Sequence, residues 1–297
     1  MTVAEKVSLG QRTSASAPRV SIGMPVRNGG ELLAAALRSL LEQTERDIEI
    51  IVSDNASDDG TSEFLQRAAL DDCRIRYIRQ DVPISAYDNF RFVLRRATGK
   101  YFMWSAHDDT RDRDYVGRLA ARLDDDAAAV LAFGDLNIVT PDNPSGSPKP
   151  FDFETIGLGL PFRLAKGARL QCFHIYGLWR TAAIQCVPYA YCAWWPDLPM
   201  MLAAAVLGTF AHVPGTRFHY FEVPKTNLHR IKSQDFKTSF NLTKGVAGLL
   251  KATYVACSGV GGPHVGIYCF TLVLLKQCVN VPGFLYRWLR RPRAAHA

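Results

Sequence analysis

The apolar positions of this 297-residue chain follow two alternating rhythms. Short unbroken apolar runs, typical of strands buried on both faces, alternate with stretches in which apolar residues recur every three or four positions. Residues 19–26 (RVSIGMPV) form the first run. Asn28-Gly29-Gly30-Glu31 follows, a turn whose Asn and Glu stand three apart as in a capping box. The next stretch places Leu33, Leu37, Leu40 and Leu41 on one helical face. Residues 47–53 (DIEIIVS) predict a second strand, 54–60 a polar loop and 61–70 a helix. Residues 74–79 predict a third strand, 89–96 a helix, 101–106 a fourth strand, 114–123 a helix and 128–133 a further strand. Strands alternating with helices imply an α/β fold with a mainly parallel sheet and right-handed crossovers.

Residues 140–161 are rich in Pro, Gly, Asp and Ser, which marks a boundary or a long loop. Periodicity weakens over 162–235, although 200–207 predicts a helix and 208–213 a following strand. From about Phe236 the chain is apolar and helical in character. Val265–Val281 is interrupted by Lys276, Gln277 and Asn280, so it falls short of the ~20 apolar residues of a spanning helix. A helix packed on the protein, or one lying on a bilayer surface, fits it better. Residues 1–18 lack a long apolar run and read as a flexible tail rather than a secretory signal.

Composition narrows the class. The seven cysteines are scattered, odd in number and without a CxxC pair, which disfavours a disulfide framework or a structural zinc site and points to a reducing, cytoplasmic compartment. The net charge of +7 is uneven, with four arginines between Arg287 and Arg293. A basic balance suits nucleic acid or an anionic membrane surface. Without zinc-finger spacing or an aromatic RNA-binding signature, nucleic acid is disfavoured.

The segment 101–109, YFMWSAHDD, holds the candidate chemistry. A buried strand there delivers Asp108 and Asp109 to the end of a sheet where open α/β folds bind ligands. Mg²⁺ and Mn²⁺ share oxygen ligands between one or two carboxylates and substrate phosphates. Two adjacent acids are also what an ordinary solvated loop carries. After the first strand, Pro25-Val26-Arg27-Asn28-Gly29-Gly30 matches neither the GxGxxG of dinucleotide-binding domains nor the GxxxxGK[ST] of a P-loop.

Four segments, in order, resemble glycosyltransferase family 2: VSIGMPVRN (20–28), SDNASDDGT (53–61), GKYFMWSAHDD (99–109) and WPDLPMMLAAAVLGTFAHV (195–213). The resemblance covers residues 19–230 and implies the GT-A fold, a Rossmann-like, mainly parallel sheet flanked by helices, followed here by a C-terminal helical extension. It divides the chain into a tail (1–18), a nucleotide-sugar-binding half (19–140), an acceptor-binding half (141–235) and the extension with its basic tail (236–297). The implied reaction is transfer of a sugar, with inversion, from a nucleoside diphosphate to an acceptor hydroxyl. That needs a divalent metal, Mn or Mg, on the leaving diphosphate and a general base at the acceptor.

By resemblance, Asp54 accepts a hydrogen bond from the nucleobase, and Pro25, Arg27 and Asn28 line the same slot. Arg27 stands where an aromatic residue is usual, though a guanidinium also stacks. On its own residues, Asp54 reads equally as the cap of a turn beside Ser57. Asp109 matches the metal-binding acid and Asp108 its neighbour at the ribose or metal. His107 stands where many members carry a further acid, and it reads as a metal-shell residue or as a hydrogen-bonded loop histidine. Asp197 matches the general base. Its place before a helix also suits a cap, with a low pKa unless the apolar surroundings of Trp194 and Trp195 offset this. Trp194, Trp195 and Arg180 are acceptor-side candidates, and His219 and His229 are candidates for a metal shell or lid.

The expected partners are a UDP- or dTDP-sugar, with GDP as a further option, and a glycan or glycolipid acceptor. Leu285, Trp288 and Leu289 among arginines suggest an anchor on the cytoplasmic membrane face, or a solvated basic tail. A catalytically inactive binding module and a nucleotidyltransferase are the competing readings.

Overall fold

A computed structural model describes residues 16–149, 153–168, 172–188, 197–222 and 242–275. Contacts divide the chain into two compact units. The first comprises Met1–Leu158, Phe173–Cys186 and Gly208–Ser239, and the second Gly159–Cys172, Val187–Leu207 and Phe240–Ala297. This division cuts across the linear halves expected from the sequence.

Among the described residues the first unit is built on a nine-stranded sheet. In chain order its elements are β1 (Val20–Val26), α1 (Leu32–Leu41), β2 (Ile48–Asp54), α2 (Thr61–Asp71), β3 (Ile75–Arg79), α3 (Ala86–Arg96), β4 (Tyr101–Trp104), β5 (Thr110–Arg111), α4 (Tyr115–Asp125), β6 (Ala129–Thr140), β7 (Asn143–Lys149), a 3-10 turn (Cys172–Tyr176), β8 (Leu178–Arg180), α6 (Thr181–Cys186) and β9 (Thr209–Phe221). The strand order is β3-β2-β1-β4-β8-β6-β9-β5, with β7 paired to β6. From β3 to β4 all pairings are parallel. β8 reverses the direction against both β4 and β6, and β6 then runs parallel to β9.

Every residue of β1, β2 and β4 is buried, including the polar Ser21, Glu49, Ser53 and Asp54 among their apolar residues. The buried Trp104 meets Phe102 edge-on at 4.8 Å and Trp179 at 6.4 Å, so β4 and β8 share an aromatic core. α3 opens with Ser85, whose side chain accepts from the Asp88 N–H at 3.0 Å, and closes with Arg95 and Arg96, the charge arrangement a helix dipole favours. Gly99 lets the turn before β4 lie against β1, because a Cβ there would sit 2.7 Å from the Ser21 backbone nitrogen.

The second unit contains α5 (Leu160–Gly167), α7 (Asp197–Leu207), α8 (Leu242–Gly261) and α9 (263–275). Arg163 of α5 donates to the carbonyls of Ala205 and Val206, closing the open end of α7. Gly266 of α9 packs directly on Ser258 of α8.

The expected elements form, but β6 runs on to Thr140 and β7 lies inside the 140–161 stretch expected as a boundary or long loop, and α1 and β9 also differ. No capping box exists at α1: its N-cap is Glu31 without a side-chain bond, and Asn28, at φ 52°, turns its side chain to the next loop. Ala36, not Leu41, completes the buried face of α1. β9 continues past Val213 through Pro214-Gly215, where the register against β6 shifts and Asp135 accepts from both His212 Nε2 (2.8 Å) and the Gly215 N–H (2.7 Å). The Pro and Gly that suggest an end are a bulge inside a longer strand.

Candidate active site

The carboxyl ends of β1, β2 and β4 gather three loops. Asn55 N–H donates to the Val26 carbonyl at 2.8 Å, Asn28 N–H to Ser57 Oγ at 2.9 Å, and Ser105 N–H to the Gly23 carbonyl at 2.9 Å. Pro25 is buried in register with Ser53, while Arg27 and Asn28 are exposed just beyond the strand. Asn28 Oδ1 accepts from the Asp58 N–H at 3.1 Å, locking the first loop to the second.

Asp54 ends β2 and is fully buried. Oδ1 accepts from the Ser57 N–H at 2.9 Å; Oδ2 accepts from Ser62 Oγ (2.5 Å), Tyr77 O–H (3.0 Å) and Arg79 Nη1 (2.8 Å). Burial raises its pKa, but these bonds to the ionised form prevail and hold it below the ordinary value. The turn-capping arrangement beside Ser57 is thus realised, and Oδ2 is saturated by the protein. Ser62, Tyr77 and Arg79 were not legible as its partners, because they are joined only by the pairing of β2 with β3 and the packing of α2.

β4 stops at Trp104, two residues sooner than expected, and a turn presents His107 and Asp108, both half-buried. Asp109 is buried completely. β5 follows at once, pairing Thr110 with His219 and Arg111 with Phe218 on β9. Asp109 Oδ1 accepts from the Phe221 N–H at 2.9 Å, whereas its buried Oδ2 has no partner among the described residues. Burial, then the charge of Asp108, push the Asp109 carboxyl up to about 7, against the Phe221 N–H and the charge of Arg111. Arg111 is itself buried, donating to Ser105 Oγ (2.9 Å) and the Trp104 carbonyl (3.0 Å) with its guanidinium 5.0 Å from the Phe218 ring centre. It fixes the turn from beneath. Sequence reasoning missed it, although an arginine two residues from a buried acid on a strand was the available signal.

Among the described residues no three metal-binding side chains converge. A divalent cation still fits the donor set. Asp109 offers a buried oxygen with no partner among the described residues, Asp108 is adjacent, and hard cations of this kind complete their shells with phosphate oxygens and water.

His219 is brought to this end of the sheet, but both ring nitrogens are engaged, Nε2 with Asp112 Oδ1 at 2.9 Å and Nδ1 with Asn137 Nδ2 at 3.0 Å. Arg180 is not brought there. It is paired with Tyr101, at the start of β4, and its guanidinium donates to the carbonyls of Leu123, Asp126 and Ala129. These bonds hold the guanidinium at the end of α4.

Asp197 begins α7, in the second unit. The expected contest between helix N-terminus and apolar surroundings goes to burial, which pushes its carboxyl up to about 6. Trp194, Trp195 and His229 lie outside the described residues.

The family model of glycosyl transferase family 2 matches residues 21–182. The chain is 34% identical over 93 residues to the GalNAc(5)-diNAcBac-PP-undecaprenol beta-1,3-glucosyltransferase of Campylobacter jejuni, covering 31% of this chain and 30% of that protein. It is 29% identical over 122 residues to a PGL/p-HBAD biosynthesis glycosyltransferase of Mycobacterium bovis, covering 41% of this chain and 48% of the relative. The match therefore spans less than half the length of either relative. Among solved structures, S. aureus TarS 1-349 in complex with UDP-GlcNAc superposes with a TM-score of 0.67 at 15% identity, covering 90% of this chain and 75% of that one. Mannosyltransferase PcManGT from Pyrobaculum calidifontis, in complex with GDP-Man and Mn2+, gives a TM-score of 0.54 at 15% identity over 97% of this chain and 85% of its own. The sheet is that of the GT-A glycosyltransferases, the family match covers more than half of the chain, and this protein belongs to glycosyl transferase family 2.

Proposed function

We propose that the protein is a metal-dependent inverting glycosyltransferase that moves a sugar from a nucleoside-diphosphate donor to an acceptor hydroxyl. The observation that carries this reading is the buried Asp109 carboxylate between β4 and β5, with one oxygen held by the Phe221 N–H and the other without a partner among the described residues. A buried acid oxygen left in that state is costly unless a ligand completes it.

Asp109 and Asp108 are the residues that would hold Mn or Mg. The metal, when bound, supplies charge stabilisation to the departing diphosphate. The Phe221 N–H orients Asp109, and the charge of Arg111 favours its ionised form. Pro25, Arg27, Asn28 and Asp54 line the proposed nucleotide side, where Arg27 is exposed and free to stack on a base. Asp197 is the proposed base. A carboxyl with a pKa near 6 is mostly ionised at neutral pH, yet takes a proton more readily than an ordinary aspartate. Trp194, Trp195, His107, His219 and His229 remain proposals for acceptor, metal-shell or lid contacts.

A UDP- or dTDP-sugar is the first donor to test and a GDP-sugar the next, since similar structures hold UDP-GlcNAc and GDP-Man. A cell-surface polysaccharide, glycolipid or lipid-linked glycan is the proposed acceptor class, met at the cytoplasmic membrane face. The undecaprenol-linked substrate in the Campylobacter relative's name supports that choice. The saturated Oδ2 of Asp54 and the unusual Arg27 favour one competing reading, a binding module without turnover. Nucleoside-diphosphate release from each donor, with Mn²⁺ and with chelator, separates the two. Metal-dependent release from one donor supports the enzyme, and no release from any supports the module. Pyrophosphate release from a nucleoside triphosphate would instead mark a nucleotidyltransferase.

A further inference from the structure

Large apolar side chains open to solvent are concentrated in the second unit. Phe162 of α5 is 72% exposed, and on α9 Ile267 and Leu275 are 57% and 59% exposed, with Tyr268 and Leu274 also open. These α9 positions recur at helical spacing on one face, while Gly266, Cys269 and Val273 form the buried face. α9 is therefore apolar on both sides, a pattern found where a helix is covered by protein or by lipid. Tyr268 O–H donates to the Pro161 carbonyl at 3.4 Å, which puts Phe162 beside this face. No helix among the described residues is long and apolar enough to cross a membrane.

Charge identifies the occupant. Eight of the chain's 35 Lys and Arg residues, and none of its 28 acids, fall in residues 236–297. The first 235 residues are left with 27 cations against 28 acids, so the whole positive excess belongs to the segment that bears α8 and α9. A second copy of the chain would bring two such acid-free, cationic segments together. An anionic bilayer complements both its charge and its apolar stripe.

We propose that the outer face of α9, with Phe162, docks on an anionic phospholipid surface, its apolar side chains at the acyl boundary, with the positive excess carried by the sequence of 236–297 favouring negatively charged headgroups. The purpose of such docking rests on the proposed transferase reading, since it would bring the enzyme to a lipid-carried acceptor.

Flotation of the full chain with neutral and with anionic vesicles tests it, alongside an Ile267→Asp/Leu275→Asp variant and a separate Phe162→Asp variant. All three positions are more than half exposed, so folding should survive, which circular dichroism checks. Binding is expected to anionic vesicles only, to weaken in high salt, and to fall at least about tenfold in the double variant, given the apolar surface lost. Equal flotation of parent and double variant, or no binding to anionic vesicles, would overturn the proposal. So would a dimer that Ile267→Asp/Leu275→Asp abolishes in the absence of lipid. Flotation uses no nucleotide, so its failure leaves the transferase reading intact. Donor hydrolysis without vesicles, unchanged in both variants, tests that reading separately.

Discussion

The Phe221 N–H donates to Oδ1 of Asp109 at 2.9 Å, tying the last residue of β9 to the acid after β4 across 112 positions of sequence. This bond orients a carboxylate that burial and the charge of Asp108 push up to about 7. Because the folded pKa lies above the unfolded one, the group favours folding at low pH, and that contribution is lost as pH rises from about 4 to about 7. Asp109→Asn removes the buried charge and retains an acceptor for Phe221. The variant should be more stable than the parent above pH 7, by up to about 4 kcal/mol for a shift of roughly three units. Near pH 4 the difference should vanish. Thermal melts of the ligand-free proteins across this range check it.

The same titration sets ligand affinity. A metal must displace the proton from Asp109, so metal-dependent nucleotide binding should weaken below pH 7, by up to tenfold per unit. Affinities measured from pH 5.5 to 8 would contradict this if they were flat.

Asp197→Asn should lower kcat by about 10²–10⁴, the usual contribution of a general base, with donor affinity unchanged. In the parent, the rate should rise with pH through about 6 as Asp197 loses its proton. A variant that melts earlier but keeps kcat would make Asp197 a helix-terminal residue only.

Asp54 makes the opposite prediction to Asp109. Its pKa is lowered, so its contribution to stability is present above about pH 4 and lost as pH falls through the depressed folded value. Asp54→Ala leaves Ser62, Tyr77 and Arg79 without their shared acceptor and should cost about 3 kcal/mol or more. Urea unfolding at neutral pH measures it.

Arg180→Met separates structure from substrate contact. Three carbonyls at the end of α4 and the start of β6 lose their donors, for a loss of roughly 1–3 kcal/mol. Acceptor KM should not change; a rise in KM without a stability loss would restore the acceptor role.

What could be read from the sequence follows from range. β1, β2 and β4 are buried along their whole lengths, and each lies within two residues of the bounds expected from the runs 19–26, 47–53 and 101–106. The acids of 107–109 were visible because they interrupt such a run. The supports of those acids were not. Arg111 lies on a two-residue strand whose existence depends on β9, and the Phe221 N–H is a backbone group that no side-chain pattern marks. Asn28 resembled a cap because Glu31 lies three residues on, but its left-handed backbone sends the side chain to Asp58. Local patterns specify elements, while the polar bonds of the site close across distant ones.

The most direct test of the central claim is calorimetric titration of UDP, dTDP and GDP into the full chain, with Mn²⁺ and with chelator, and into Asp109→Asn. One nucleotide should bind with Mn²⁺, bind far more weakly with chelator, and lose its metal dependence in the variant. Equal binding by parent and variant, or no binding to a well-folded parent, would contradict it.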